Sequence, residues 1–149
     1  IVDIYNHYVL ETPISFEEEA VTAAQMAERI ANVQALDLPW LVLEEDGKLL
    51  GYAYATAWRA RSAYRFSVET TAYLARNQTR RGLGSQLYEA LFPLLKSRGL
   101  HSAIAGITLP NPASVALHEK FGMKQVARFE EVGLKFGQWR DVGYWQVTL

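Results

Sequence analysis

Two stretches of this sequence place residue types at spacings suited to holding a phosphorylated ligand. The first is Arg80-Arg81-Gly82-Leu83-Gly84-Ser85, where an apolar strand pattern gives way to an amphipathic helix. A glycine pair at such a junction leaves backbone N–H groups bare, and the helix N-terminus adds partial positive charge. That is a main-chain cradle for a pyrophosphate. The second stretch runs from Asn111-Pro112 through Ser114 and His118 to Gly122. It opens another helix, with Asn111 as N-cap and Pro112 at the first position. In this order, one strand apart, the two point to coenzyme A. Nucleotide sites fail on residue identity. A P-loop needs a lysine after its second glycine, and none follows Gly84. A dinucleotide fingerprint needs a third glycine where Leu87 stands, and an acid at the end of the next strand, which closes on Thr108. Taken alone, the glycine pair with its arginines is also what an ordinary solvated turn looks like.

Composition narrows the partners. The 149 residues balance 15 Lys+Arg against 16 Asp+Glu, and half of them are hydrophobic. A single domain over residues 1–149 with one sizeable core is expected. A net charge of −1 argues against nucleic acid. The basic residues nevertheless cluster at Arg76, Arg80 and Arg81, which suits a small polyanion. There is no cysteine, so disulfides, thiolate-bound zinc and an acyl-cysteine relay are excluded. His7, His101 and His118 are scattered, and no metal is expected. No apolar run has transmembrane length and no signal-like segment appears, so a cytoplasmic location without membrane contact is expected.

The elements that must position these residues follow from hydrophobic periodicity. Residues 1–11 and 19–35 predict helices. Trp40–Glu44 and Lys48–Trp58 predict strands joined by an Asp46-Gly47 turn. Ala53, Ala55 and Ala57 form a face of the second strand that accepts a close helix. Tyr64–Ala75 predicts the central strand. A helix from about Gly82 to Ser97 follows, with Leu83, Leu87, Leu91, Leu94 and Leu95 inward and Pro93 expected to kink or shorten it. His101–Thr108 predicts a strand, Asn111 to Phe121 a helix, and Lys124–Leu134 with Arg140–Leu149 a closing pair. The class is α/β: a mixed, mostly antiparallel sheet flanked by helices.

Within the central strand, Glu69, Thr71 and Tyr73 share one face. A carboxylate at mid-strand is costly to bury without a partner or a purpose. Arg59 and Arg61, one residue apart, can share a strand face and bind a carboxylate or phosphinate; a solvated hairpin end is the other reading.

Taken together, these motifs resemble the GNAT superfamily of acetyl-CoA-dependent N-acetyltransferases. The resemblance is closest to the group acting on phosphinothricin and on methionine sulfone or sulfoximine. It rests on Trp58-Arg59-Ala60-Arg61, Val68-Glu69-Thr70-Thr71, Leu109-Pro110-Asn111, Leu117-His118-Glu119 and Gly137-Gln138-Trp139-Arg140-Asp141-Val142-Gly143. It spans the chain. It implies a sheet splayed at the acetyl-CoA site and a homodimer. It also implies a short strand ahead of the first helix, whereas this chain begins inside that helix. The superfamily usually carries Arg or Gln three residues before the first loop glycine. Thr79 stands there, with Arg80 next.

The resemblance assigns roles. Glu69 is the candidate base, and His118, where most of the superfamily has tyrosine, the candidate proton donor. Tyr73, the Leu74 N–H, Arg80, Arg81, Gly82, Leu83, Gly84, Ser85, Asn111 and Ser114 would contact acetyl-CoA. Phe16, Arg59, Arg61 and Tyr64 would contact a small amino-acid-like substrate. Structural alternatives stand beside these roles: an ion pair for Glu69, packing for His118, a ladder bond for Leu74, a plain N-cap for Asn111. Direct transfer in a ternary complex to an α-amino group is expected. The alternatives are transfer to a polyamine or a protein N-terminus, and a non-catalytic acyl-CoA sensor.

Overall fold

The structure, a computed structural model, describes residues 1–78 and 81–149. Helices α1 (Val2–Glu11) and α2 (Ala23–Ala35) precede strands β1 (Trp40–Glu45), β2 (Lys48–Ala57) and β3 (Ser67–Leu74). Helix α3 (Leu83–Ser97), strand β4 (Ser102–Leu109), helix α4 (Pro112–Lys120) and strands β5 (Lys124–Lys135) and β6 (Gln138–Thr148) complete the order. This is the predicted succession. The six strands form one sheet in the order β1-β2-β3-β4-β6-β5, and only the β3–β4 pairing is parallel.

Helices cover both faces. The predicted alanine face of β2 receives α3: Ala53 and Ala55 are buried in one cluster with Leu87, Tyr88, Leu91 and Leu95. Tyr52, on the other face, packs with Ile4, Tyr5 and Val9 of α1 and Met26 of α2. The short alanine side chains let a helix backbone approach closely, while the tyrosine face fills a wider gap.

Several predicted boundaries shift, each for a local reason. Helix α2 starts at Ala23 because Thr22 and Gln25 form a reciprocal capping box, so residues 19–22 lie outside it. The central strand starts at Ser67. Ahead of it, Ser62–Tyr64 form a 3-10 turn closed by Arg65 N–H donating to Ser62 O. Tyr64 and Phe66 continue the apolar alternation but are 40% and 47% exposed, so that alternation marks a surface and not a strand face. Pro93 does not end α3, which runs to Ser97. Its ring faces solvent with Glu89 one turn earlier, leaving the Glu89 carbonyl accessible to water.

Two irregularities shape the site. Strands β3 and β4 pair only from Ser67–Glu69 to Ser102–Ile104 and then part. Strand β5 bulges between Phe129 and Gly133. Asp141 of β6 holds the bulge by accepting from Glu131 N–H at 2.9 Å and from the Arg128 guanidinium.

Candidate active site

The parting of β3 and β4 exposes main chain in the middle of the sheet. Ala75 N–H donates to Leu50 O and Trp58 N–H to Ser67 O. Peptide groups alternate along an antiparallel strand, so odd-numbered residues of β3 bond β2 and even-numbered ones face β4. Beyond Glu69 there is no β4 to meet them. Ala72 and Leu74 therefore turn their N–H groups into a cleft of about 450 Å³ lined by Tyr8, Tyr73, Gly84, Asn111, Ser114 and His118. Tyr8 Oη donates to Leu74 O at 2.7 Å, which occupies the carbonyl and leaves the N–H of the same residue to the cleft. Periodicity alone could not distinguish this N–H from a ladder bond.

Helix α3 begins at the mouth of that cleft. Gly82 is its N-cap, at a φ of 71°, and offers no side chain to the first turn. The N–H groups of Leu83, Gly84 and Ser85 have no acceptor inside the helix. Gly84 serves packing as well: a Cβ there would stand 3.0 Å from Leu117 of α4, so the glycine brings the two helices together around the cleft. Arg81 donates to Glu45 at 3.0 Å and also to Gln78. Arg80 lies outside the described residues. Lys120 Nζ donates to Ser85 Oγ at 2.9 Å and adds a cation at the helix start.

On α4, Asn111 Oδ1 accepts from Ser114 N–H at 3.2 Å. Asn111 is thus an N-cap and a cleft residue at once. His118 is buried, with Nδ1 2.7 Å from Ser114 O and Nε2 2.9 Å from Tyr88 Oη. The carbonyl can only accept, so Nδ1 carries the proton and the tyrosine hydroxyl donates to Nε2. Burial lowers the His118 pKa, and the ring stands neutral. Thr70 Oγ1 donates to Ile104 O, where the strands separate.

A second recess, about 340 Å³, adjoins the first and shares Ile14 and Tyr73 with it. It holds Glu69, with Ser15, Phe16, Gly106, Phe129, Val132 and Tyr144 around it. Desolvation raises the Glu69 pKa, and the positive field of Arg59 opposes that rise. A Cβ on Gly106 would lie 3.1 Å from the Tyr144 ring and 3.4 Å from Glu69 Oε1, so the missing side chain makes room for the carboxylate.

The predicted substrate residues are divided. Phe16 lines the recess with Glu69. Arg59 and Tyr64 line a neighbouring recess that shares Phe129 and Tyr144 with it. Arg61 lines a further recess, which also holds Arg59, Asp37 and Arg98.

Residues 1–143 match the family described as acetyltransferase (GNAT) domain. The chain belongs to the GNAT family of acetyltransferases. The phosphinothricin N-acetyltransferase of Streptomyces coelicolor is 41% identical, across 100% of this chain and 89% of its own length. The L-methionine sulfoximine/L-methionine sulfone acetyltransferase of Salmonella typhimurium is 35% identical, across 100% and 87%. A GNAT phosphinothricin acetyltransferase from Sinorhizobium meliloti, solved in complex with acetyl-CoA, superposes with a TM-score of 0.96 at 35% identity, covering 99% of this chain and 80% of that one.

The protein is accordingly an N-acetyltransferase with a GNAT sheet. Three residues of this GNAT site escaped the sequence reading. Gly106, isolated within a strand, carried a signal, because such a glycine often marks a close approach. Tyr88 sits one position off the leucine stripe of α3, and nothing in that stripe set it apart. Tyr144 read only as bulk.

Proposed function

We propose that this chain transfers the acetyl group of acetyl-CoA to the α-amino group of a small amino-acid analogue, such as phosphinothricin, methionine sulfoximine or methionine sulfone. The observation that carries the reading is the meeting of the two recesses at Tyr73. The Leu74 N–H points out from the unpaired edge of β3, and the Glu69 carboxylate projects from the face that also carries Tyr73.

The residues present suit acetyl-CoA. The bare N–H groups of Leu83, Gly84 and Ser85 would hold its pyrophosphate, and Asn111, Ser114 and Tyr73 its arm. Acetyl-CoA supplies an activated acetyl thioester. Glu69, its pKa raised by desolvation, takes the proton of an α-ammonium group that is mostly protonated at neutral pH. The Leu74 N–H donates to the carbonyl oxygen where charge develops. His118 is the proposed acid: protonated at Nε2, in place of the proton that Tyr88 donates there in the resting state, it would pass that proton to the leaving thiolate. The chain has no cysteine to carry an acyl group, which supports direct transfer in a ternary complex. Arg59, beside Glu69, suits an acidic acceptor. The names of the relatives point the same way.

Residues 1–149 would act as one catalytic domain in the cytoplasm; among the described residues, no helix is long and apolar enough to cross a membrane. A homodimer is part of the proposal. Strand β5 is a sheet edge, and Val126, Phe129, Val132, Leu134, Phe136 and Trp139 along β5 and β6 are each more than half exposed. Such an apolar stripe marks an interaction surface.

Thiol release from acetyl-CoA, measured across amino-acid analogues, simple amines and polyamines, tests the reading. Turnover of methionine sulfoximine or phosphinothricin above the other amines is expected. Turnover confined to polyamines would overturn it.

A further inference from the structure

Lys135 ends β5 and is 2% exposed. Lysine is almost never buried so completely unless paired. Its partners are two carbonyls: Nζ donates to Val9 O and to Ser15 O, each at 2.6 Å. Val9 lies in the last turn of α1, where carbonyls lack helical donors and the helix dipole favours a cation. Ser15 lies in the irregular segment between α1 and α2. Burial lowers the lysine pKa, and the fields of Glu18 and Glu17 oppose the shift.

The same strand grips that segment a second time. The Phe16 ring lies directly on Gly133, where a Cβ would stand 2.2 Å from Phe16 Cε2. Ile14 and Phe16 both line the recess that contains Glu69. They are 38% and 40% exposed, so burial of their own side chains does not fix them. The segment has no place in the sheet; beside Lys135 it is held by Thr12, whose hydroxyl donates to Tyr8 O and accepts from Ile14 N–H, by Tyr5 on Ser15 and by Thr108 on Ile14 O.

We infer that Lys135 is a positioning residue for the acceptor: its ammonium, bonded to Val9 O and Ser15 O, sets the 12–16 segment as a wall of the Glu69 recess. This rests on the reading of that recess as the acceptor site. The ammonium touches neither substrate. It acts through Ile14 and Phe16.

The test measures KM for methionine sulfoximine and for acetyl-CoA separately in Lys135→Met, Gly133→Ala and Glu69→Gln. Lys135→Met keeps the length and removes the charge. Gly133→Ala displaces Phe16 and leaves the buried ammonium in place. For each of these two, the acceptor KM should rise about tenfold or more, while kcat and the acetyl-CoA KM stay within about threefold. Circular dichroism reports folding. If Lys135→Met does not fold, Lys135→Arg decides: the guanidinium keeps the charge but shifts the two carbonyls it bonds, and the acceptor KM alone should rise. Parallel rises in both KM values, or an unmoved acceptor KM in a folded variant, overturn the inference. Near-normal turnover by Glu69→Gln overturns the acceptor site itself, and so distinguishes the two failures.

Discussion

The two recesses that meet at Tyr73, one the proposed cofactor side and the other the proposed acceptor side, are built from different materials. The cofactor side is mostly backbone: the N–H groups of Ala72 and Leu74 and the first turn of α3. Its side chains, Gly82, Gly84 and Asn111, matter largely for what they leave open or how they start a helix. The acceptor side is assembled from side chains drawn from distant parts of the chain: Phe16 after α1, Glu69 on β3, Phe129 and Val132 at the β5 bulge, Tyr144 on β6. A backbone site needs only the right turns and helix starts, which lie in short contiguous motifs. A side-chain site can change its chemistry one residue at a time while the sheet stays the same. The first arrangement suits a constant co-substrate and the second a variable acceptor.

Substitutions on each side should separate accordingly, and the largest effect is expected at Glu69. Glu69→Gln should lower kcat on the order of 10²-fold and leave the acetyl-CoA KM in place. Steady-state kinetics that show both constants moving together would merge the two sides. Gly84→Val should act in reverse, raising the acetyl-CoA KM by about ten- to a hundredfold. Because a Cβ there already meets Leu117 at 3.0 Å, some loss of thermal stability should accompany it.

A finer division is expected between the two arginines. Arg59→Ala should raise the acceptor KM by about tenfold, whereas Arg61→Ala, at a residue absent from the recess adjoining Glu69, should change it by less than about threefold. The sequence alone treats these arginines as a pair; in the structure they share one recess, and only Arg59 also lines the one that adjoins Glu69. The smallest effect is on pH. Arg59 holds the Glu69 pKa below the level that burial alone would set. Removing that cation raises it, and activity needs the ionised base, so the acidic limb of kcat/KM should move to higher pH. A limb that moves to lower pH, or stays put, would assign it to another group.

Much of the sheet and the cofactor side was legible because each feature is written locally. The Gly82–Ser85 turn, the Asn111 cap and the alanine face of β2 need no knowledge of distant contacts. The acceptor side was legible only at Glu69 and Phe16. The 3-10 turn at Ser62–Tyr64 interrupts an apolar alternation, and alternation is blind to exposure. Tyr88 and Lys135 escaped because their partners, His118 on another helix and the carbonyls of Val9 and Ser15, are 30 or more residues away. No periodicity encodes such a meeting.

The parting of β3 from β4 also has a consequence for isotope labelling. Central strands usually hold the slowest-exchanging amides of a domain. Here the amides of Ala72 and Leu74 lie mid-sheet with no strand to accept them, so their deuterium uptake should resemble that of a loop, between neighbours Thr71 and Tyr73 that stay protected. An occupied cleft would slow the even-numbered pair alone. The sheet thus contains a two-residue gauge of occupancy that reads without turnover.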